Sequence, residues 1–118
     1  MRGPAGLIRW QWEGYPRYHR SRTNLLLHVL TVPLFCLGTV LLAWGAIGLS
    51  WPPATMGAGG MLLALVAQGR GHKLEAEPPV PFTGPGNFIG RFFFEQWINF
   101  PRFLLSGGWR RGCRAGKG

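Results

Sequence analysis

LLLHVLTVPLFCLGTVLLAWGAIGL, residues 25–49, contains no charged side chain apart from the imidazole of His28. A helix of about 20 apolar residues crosses the hydrocarbon core of a bilayer. The stretch therefore reads as a membrane helix, and it sets the expected class: an all-α integral membrane helical bundle. Roughly two dozen residues precede it, whereas a secretory signal has a short basic start and an apolar core of about 7–15 residues. The segment is expected to be retained. Thr23 or Asn24 is a suitable N-cap. Pro33 cannot donate to the Val29 carbonyl, so a kink is expected there.

Outward from this helix, Ser50, Trp51, Pro52 and Pro53 make a turn. A second apolar run, residues 54–67, returns the chain as a hairpin arm and is short for a full crossing unless it tilts or the bilayer thins. Arginines precede the first run, Arg70 and Lys73 follow the second, and the loop between them is uncharged. By the positive-inside rule both termini face the cytoplasm. This fits a bacterial inner membrane, or the endoplasmic reticulum in a eukaryote. Upstream, Trp10, Trp12, Tyr15 and Tyr18 suit the bilayer interface, and Pro16 separates that region from the first apolar helix.

Residues 76–86 are rich in Pro and Gly and read as a loop. Asn87 then caps a last helix over residues 88–105, amphipathic or membrane-embedded. Arg91, Glu95, Asn99 and Arg102 fall on one narrow face of it, and aromatic and aliphatic side chains cover the rest. Pro101 should bend or end that helix. Residues 1–109 form one membrane-embedded domain, and residues 110–118 form a basic tail expected to lack structure.

The chain has 118 residues, with 13 Lys and Arg against 4 acidic residues, a formal net charge of +9. Six Trp and eight Phe make Arg-and-aromatic nucleic-acid binding a class to weigh. The basic residues flank apolar segments instead of forming a stripe on a soluble fold, so no nucleic-acid partner is expected. The lipid bilayer is the expected partner. Cys36 lies in the apolar run and Cys113 in the tail, so no disulfide framework is implied. GAGG, residues 57–60, reads as close helix packing. The chain has no phosphate loop, no serine nucleophile motif and no Asp.

All three histidines sit in two compact patterns: H-x4-N-x3-H, made by His19, Asn24 and His28, and H-x2-E, made by His72 and Glu75. Nine residues at about 100° each put His19 and His28 on opposite sides of an unbroken helix. They converge only if the chain breaks between them. Asn24 and His28 share a face, as do His72 and Glu75. The hairpin brings these groups to one end, so His19, His28, His72 and Glu75 are the candidate metal ligands. Imidazole with carboxylate suits iron(II) (Fe2+), zinc (Zn2+) or manganese (Mn2+). Asn24 and Glu75 are the candidate catalytic groups, Asn24 as an orienting residue or substrate donor. Asn24 also has a purely capping reading. Arg91, Glu95, Asn99 and Arg102 are secondary substrate-binding candidates, ranked behind a structural ion-pair face.

These motifs, with Pro33 five residues after His28, Gly71 before His72 and Pro78 after Glu75, resemble those of small membrane proteins related to iron(II)-dependent 2-hydroxy fatty acid dioxygenase. The C-terminal FFFEQWINFPRFLLSGGW is similar to the bacterial branch of that family. The resemblance covers about residues 15–109. It implies a multi-helix membrane protein with an iron(II) site on His19, His28 and His72, and with Glu75 as a fourth ligand or a supporting carboxylate. It also implies 2-hydroxy fatty acid and O2 as substrates in α-oxidation, with loss of one carbon. The sequence departs from the family at Thr31, where Gly is common, and at Glu77. A homo-oligomer is compatible with these features. Two other classes stand beside this one: a non-catalytic membrane-interface protein that binds acidic lipid or a partner, and a zinc-dependent membrane hydrolase.

Overall fold

The structure, a computed structural model, describes residues 3–116. It is all-α, 81% helical, with no strand among the described residues. Helix α1 (Pro4–Gly14) runs into a 3-10 turn (Tyr15–Tyr18). Then come α2 (Arg22–Ile47) and α3 (Trp51–His72). Beyond a loop, α4 (Pro85–Phe94) passes through a π-helical turn (Glu95–Asn99) into α5 (Phe100–Leu105), and α6 (Gly108–Ala115) follows.

Helix α2 begins earlier than the sequence suggests. Ser21 is the N-cap, its hydroxyl accepting from the Asn24 amide at 3.3 Å. The helix continues through Pro33. The three residues 48–50, with Leu49 at φ 52°, reverse the chain. Prolines 52 and 53 then sit in the first turn of α3, where a missing N–H costs nothing. Helix α3 has 22 residues, longer than the apolar run 54–67, because Gln68 and the following residues extend it toward the site.

The two long helices approach closely where both present glycine. A Cβ built on Gly38 would lie 2.7 Å from the Gly57 carbonyl oxygen, and one on Gly57 would collide with the Gly38 carbonyl and the Leu42 amide. Close packing at GAGG is therefore as expected. Thr31 sits in the same interface and fills it with hydrogen bonds. Its hydroxyl donates to the Leu27 carbonyl at 2.6 Å and accepts from Gln68 Nε2 at 3.0 Å.

Pro101 does not end the last helix. The π-helical turn before it widens the backbone, with the Phe100 amide donating to the Glu95 carbonyl, and α5 proceeds from there. π-helical turns inside α-helices recur at functional sites. The basic tail is also ordered through Ala115, which corrects the expectation of a structureless segment from residue 110; residues 117 and 118 lie outside the described residues. Trp109 Nε1 donates to the Leu25 carbonyl at 2.9 Å. Arg22 donates to the carbonyls of Cys113 and Gly116, satisfying orphan groups at the end of α6.

A small core of Tyr15, Leu25, Val32, Phe100 and Phe103 lies where α2, α5 and the 3-10 turn meet. Away from that end the hairpin is apolar outside. Ile47 is 84% and Leu49 94% exposed. Helix α2 is long and apolar enough to cross a membrane, the one such helix among the described residues, and only 28% of its most apolar window is buried.

Candidate metal centre

Four side chains converge at the charged end of the hairpin: His19, His28, His72 and Glu95, their ligand atoms all within 4.8 Å of one another. The break between the 3-10 turn and α2 places His19 opposite His28, as required. The hairpin brings in His72 from the last turn of α3, and the π-helical turn delivers Glu95.

The three imidazoles are nearly perpendicular to one another. Ring centroids are 5.0 Å apart for His19 and His28, 4.8 Å for His19 and His72, and 5.1 Å for His28 and His72, with interplanar angles of 80–90°. Tyr15 stacks flat on His19 at 3.7 Å and fixes its plane.

The outer nitrogens of two rings are committed. His19 Nδ1 lies 2.8 Å from the Tyr15 carbonyl, and His28 Nδ1 lies 2.9 Å from the Asn24 carbonyl. A carbonyl only accepts, so both Nδ1 atoms donate. In the neutral rings both Nε2 atoms are then lone pairs, and both face the same carboxylate oxygen. His19 Nε2 is 3.1 Å and His28 Nε2 is 3.3 Å from Glu95 Oε2. That oxygen already accepts the Tyr15 hydroxyl at 2.8 Å. His28 Nε2 and His72 Nδ1 are buried with no hydrogen-bond partner. Buried acceptors facing one another require a cation among them, a proton or a metal ion. The arrangement fits a metal: donors of the right type, oriented by backbone carbonyls one helical turn earlier, with unpartnered lone pairs.

Burial pushes the Glu95 carboxyl up, but positive charge and N–H donation from His19 and His28 in their protonated form outweigh it and hold it well below the usual carboxylate range; a metal ion among the same atoms would act in the same direction. Burial, then the Glu95 charge, pushes the Tyr15 phenol well above its ordinary value. Tyr15 thus stays a hydrogen-bond donor to Glu95.

Glu75 is not among the four. Its Oε1 accepts the Arg20 and Ser21 amides at 2.7 and 3.0 Å, and its Oε2 accepts Asn24 Nδ2 at 2.6 Å. It closes the N-terminus of α2, where orphan amides and the helix dipole favour a carboxylate. Asn24 is spent on the same contact through its side chain, while its carbonyl orients His28. Both act on the site through its scaffold. The carboxylate that converges with the three histidines is not that of Glu75 but that of Glu95, one of the secondary candidates. Its companions there separate: Asn99 donates to the Ile8 carbonyl and Gln11 Oε1, and Arg102 lies 4.0 Å over the Trp12 ring, both against α1.

A buried amide pair locks the π-helical turn to α3. Gln68 Nε2 donates to Gln96 Oε1 at 2.9 Å, and Gln96 Nε2 donates to Gln68 Oε1 at 2.7 Å. This fixes Glu95, one residue away. A cavity of about 900 Å³ opens beside the cluster; His19, His72 and Glu95 line it together with Arg91 and the apolar side chains of Leu65 and Phe92. Comparison with protein-family models, curated proteins and solved structures returned no match.

Proposed function

We infer that this protein is a non-haem iron(II) dioxygenase of the membrane interface that uses O2 to remove one carbon from 2-hydroxy fatty acids. The observation that carries the reading is the convergence of three imidazoles and the Glu95 carboxylate beside a largely apolar cavity. The sequence resemblance supplies the reaction and the substrate class. Bound iron(II) would supply Lewis-acid and redox chemistry toward O2.

The chain's own residues do the rest. His19 and His28 present Nε2 because their Nδ1–H groups are held by the Tyr15 and Asn24 carbonyls. Tyr15 holds Glu95 in place. The cavity falls within the range of small-molecule sites, and its apolar walls take an acyl chain and keep water from the reacting end. Helices α2 and α3 sit in the bilayer as a hairpin, with both termini at the cytoplasmic side. The exposed apolar surface of the hairpin and the basic residues at its open end support that placement.

A catalytic zinc ion keeps three protein ligands and one open position. Four donors converge here, which favours a metal of higher coordination number over the zinc-hydrolase reading.

The test is purification in detergent under anaerobic conditions, metal analysis, and an assay of O2-dependent conversion of 2-hydroxypalmitate to the acid one carbon shorter. Iron-loaded wild type that makes this product, with His28→Ala and His72→Ala inactive and metal-poor, is the expected result. A metal-free protein whose variants behave like wild type sinks the reading and leaves non-catalytic binding of acidic lipid as its successor.

A further inference from the structure

Arg91 is 9% exposed, and among the described residues it makes no ion pair with a carboxylate. The Glu95 carboxylate one turn on attracts it from beyond contact distance, and a buried guanidinium without a carboxylate in direct contact calls for further compensation. Its surroundings supply only part of this. The guanidinium carbon lies 4.2 Å over the Phe82 ring and 5.2 Å from the Trp10 ring. Nη1 makes two long hydrogen bonds, 3.3 Å to the Pro81 carbonyl and 3.4 Å to Asn87 Oδ1. A guanidinium has five N–H donors in a planar fork suited to a carboxylate.

Aromatic faces on such a group fix its plane and direction, as a recognition device requires. The backbone holds it as well: Gln11 Nε2 donates to the Arg91 carbonyl at 2.8 Å, tying this turn of α4 to α1. Arg91 lines the cavity that His19, His72 and Glu95 also line, and it stands one helical turn before Glu95. The remaining walls include Leu65, Val80, Phe88 and Phe92. Arg17 and Lys73 also line the cavity, but both are exposed and Arg17 is paired with Glu77, so Arg91 is its one buried cation. A buried cation beside apolar walls is complementary to an amphiphile with a single anionic head. Arg102, the other arginine of that helix face, lies against Trp12 and does not line the cavity.

We propose that Arg91 is the clamp that binds the carboxylate of an acyl-chain ligand in this cavity, making the site selective for free fatty acids over their neutral derivatives. This rests on the reading of the cavity as the substrate site and adds the residue that selects the head group.

The test is competition of palmitate and of methyl palmitate against a fluorescent fatty acid on the full-length protein in detergent. Partitioning into detergent is common to all variants and cancels when their palmitate-to-ester ratios are compared. Wild type is expected to prefer palmitate by about tenfold or more, the scale of a charge-assisted hydrogen bond. Arg91→Gln should lose that preference while still binding the ester, Arg91→Lys should keep part of it, and Arg102→Gln should keep all of it. A palmitate-to-ester ratio in Arg91→Gln equal to that of wild type overturns the proposal, and so does a fall in Arg102→Gln as large as that in Arg91→Gln.

Metal content and O2 consumption are read on the same preparations. Selection through Arg91 in a protein with neither supports the clamp and removes the dioxygenase reading. Metal and O2 consumption with no role for Arg91 overturn the clamp alone.

Discussion

His19 Nε2 lies 3.1 Å from Glu95 Oε2 while His19 Nδ1 is held 2.8 Å from the Tyr15 carbonyl. With Nδ1 donating, the neutral ring turns a lone pair toward a carboxylate, and His28 repeats the arrangement on the same oxygen. A cation must sit among these atoms. On the reading proposed above that this cation is a metal ion, its binding is coupled to stability, since an ion held by the folded site and not by the unfolded chain stabilises the fold by mass action. Removing it with a chelator should lower stability by about 3 kcal/mol for a site loaded at a hundredfold over its Kd. Thermal unfolding in detergent, with and without chelator, checks this; identical curves contradict it.

Tyr15 donates to Glu95 and stacks on His19, so Tyr15→Phe should keep the fold and loosen the centre. The lost hydrogen bond to a buried charge should cost about 1.5–3 kcal/mol. The alkaline limb should change too. A phenol whose pKa is raised on folding contributes stability that is fully present below its unfolded value of about 10 and is lost as pH rises through the folded value. Denaturant titrations across this range should show a fall in wild-type stability that is shallower in Tyr15→Phe. Parallel profiles would mean that the phenol is not buried against Glu95.

Glu75 and Glu95 should behave oppositely. Glu75→Ala removes the acceptor for two backbone amides and Asn24, and should cost about 3 kcal/mol while leaving the metal stoichiometry of the folded protein unchanged. Glu95→Ala should abolish metal retention. Metal analysis of the folded fractions decides the matter, and loss of metal from Glu75→Ala alone would restore Glu75 as the ligand.

This contrast marks what the sequence can and cannot reveal. The apolar run around Phe35, the GAGG contact and the need for a break between His19 and His28 follow from composition and helix periodicity. So does the meeting of the three histidines. A 100° periodicity puts Glu95 on one helix face with Arg91 and Asn99, and a π-helical turn does not keep that period. A signal was present all the same. Glu95 is embedded in an aromatic and aliphatic run, FFFEQWINF, without an adjacent basic residue, and a carboxylate buried there needs a cation. Residues 110–116 looked structureless because their order comes from partners far away in sequence, the Leu25 carbonyl and the Arg22 side chain.

Helix contact at Gly57 should tolerate no side chain. Gly57→Val puts atoms against the backbone of Gly38 and Leu42, which cannot swing aside, and should cost about 3 kcal/mol or more. Gly59 has open space around it, so Gly59→Ala should be neutral or stabilise by up to about 1 kcal/mol. Unfolding midpoints of the pair, compared in one detergent, test the close approach of α2 and α3. Equal effects would contradict it.

Anomalous scattering at the iron edge, from a crystal of protein purified without added metal under anaerobic conditions, tests the site most directly. One peak within bonding distance of His19 Nε2, His28 Nε2, a His72 ring nitrogen and a Glu95 carboxylate oxygen is the predicted result. No peak among those four side chains in an ordered structure, or a peak held by Glu75 in place of Glu95, would contradict it.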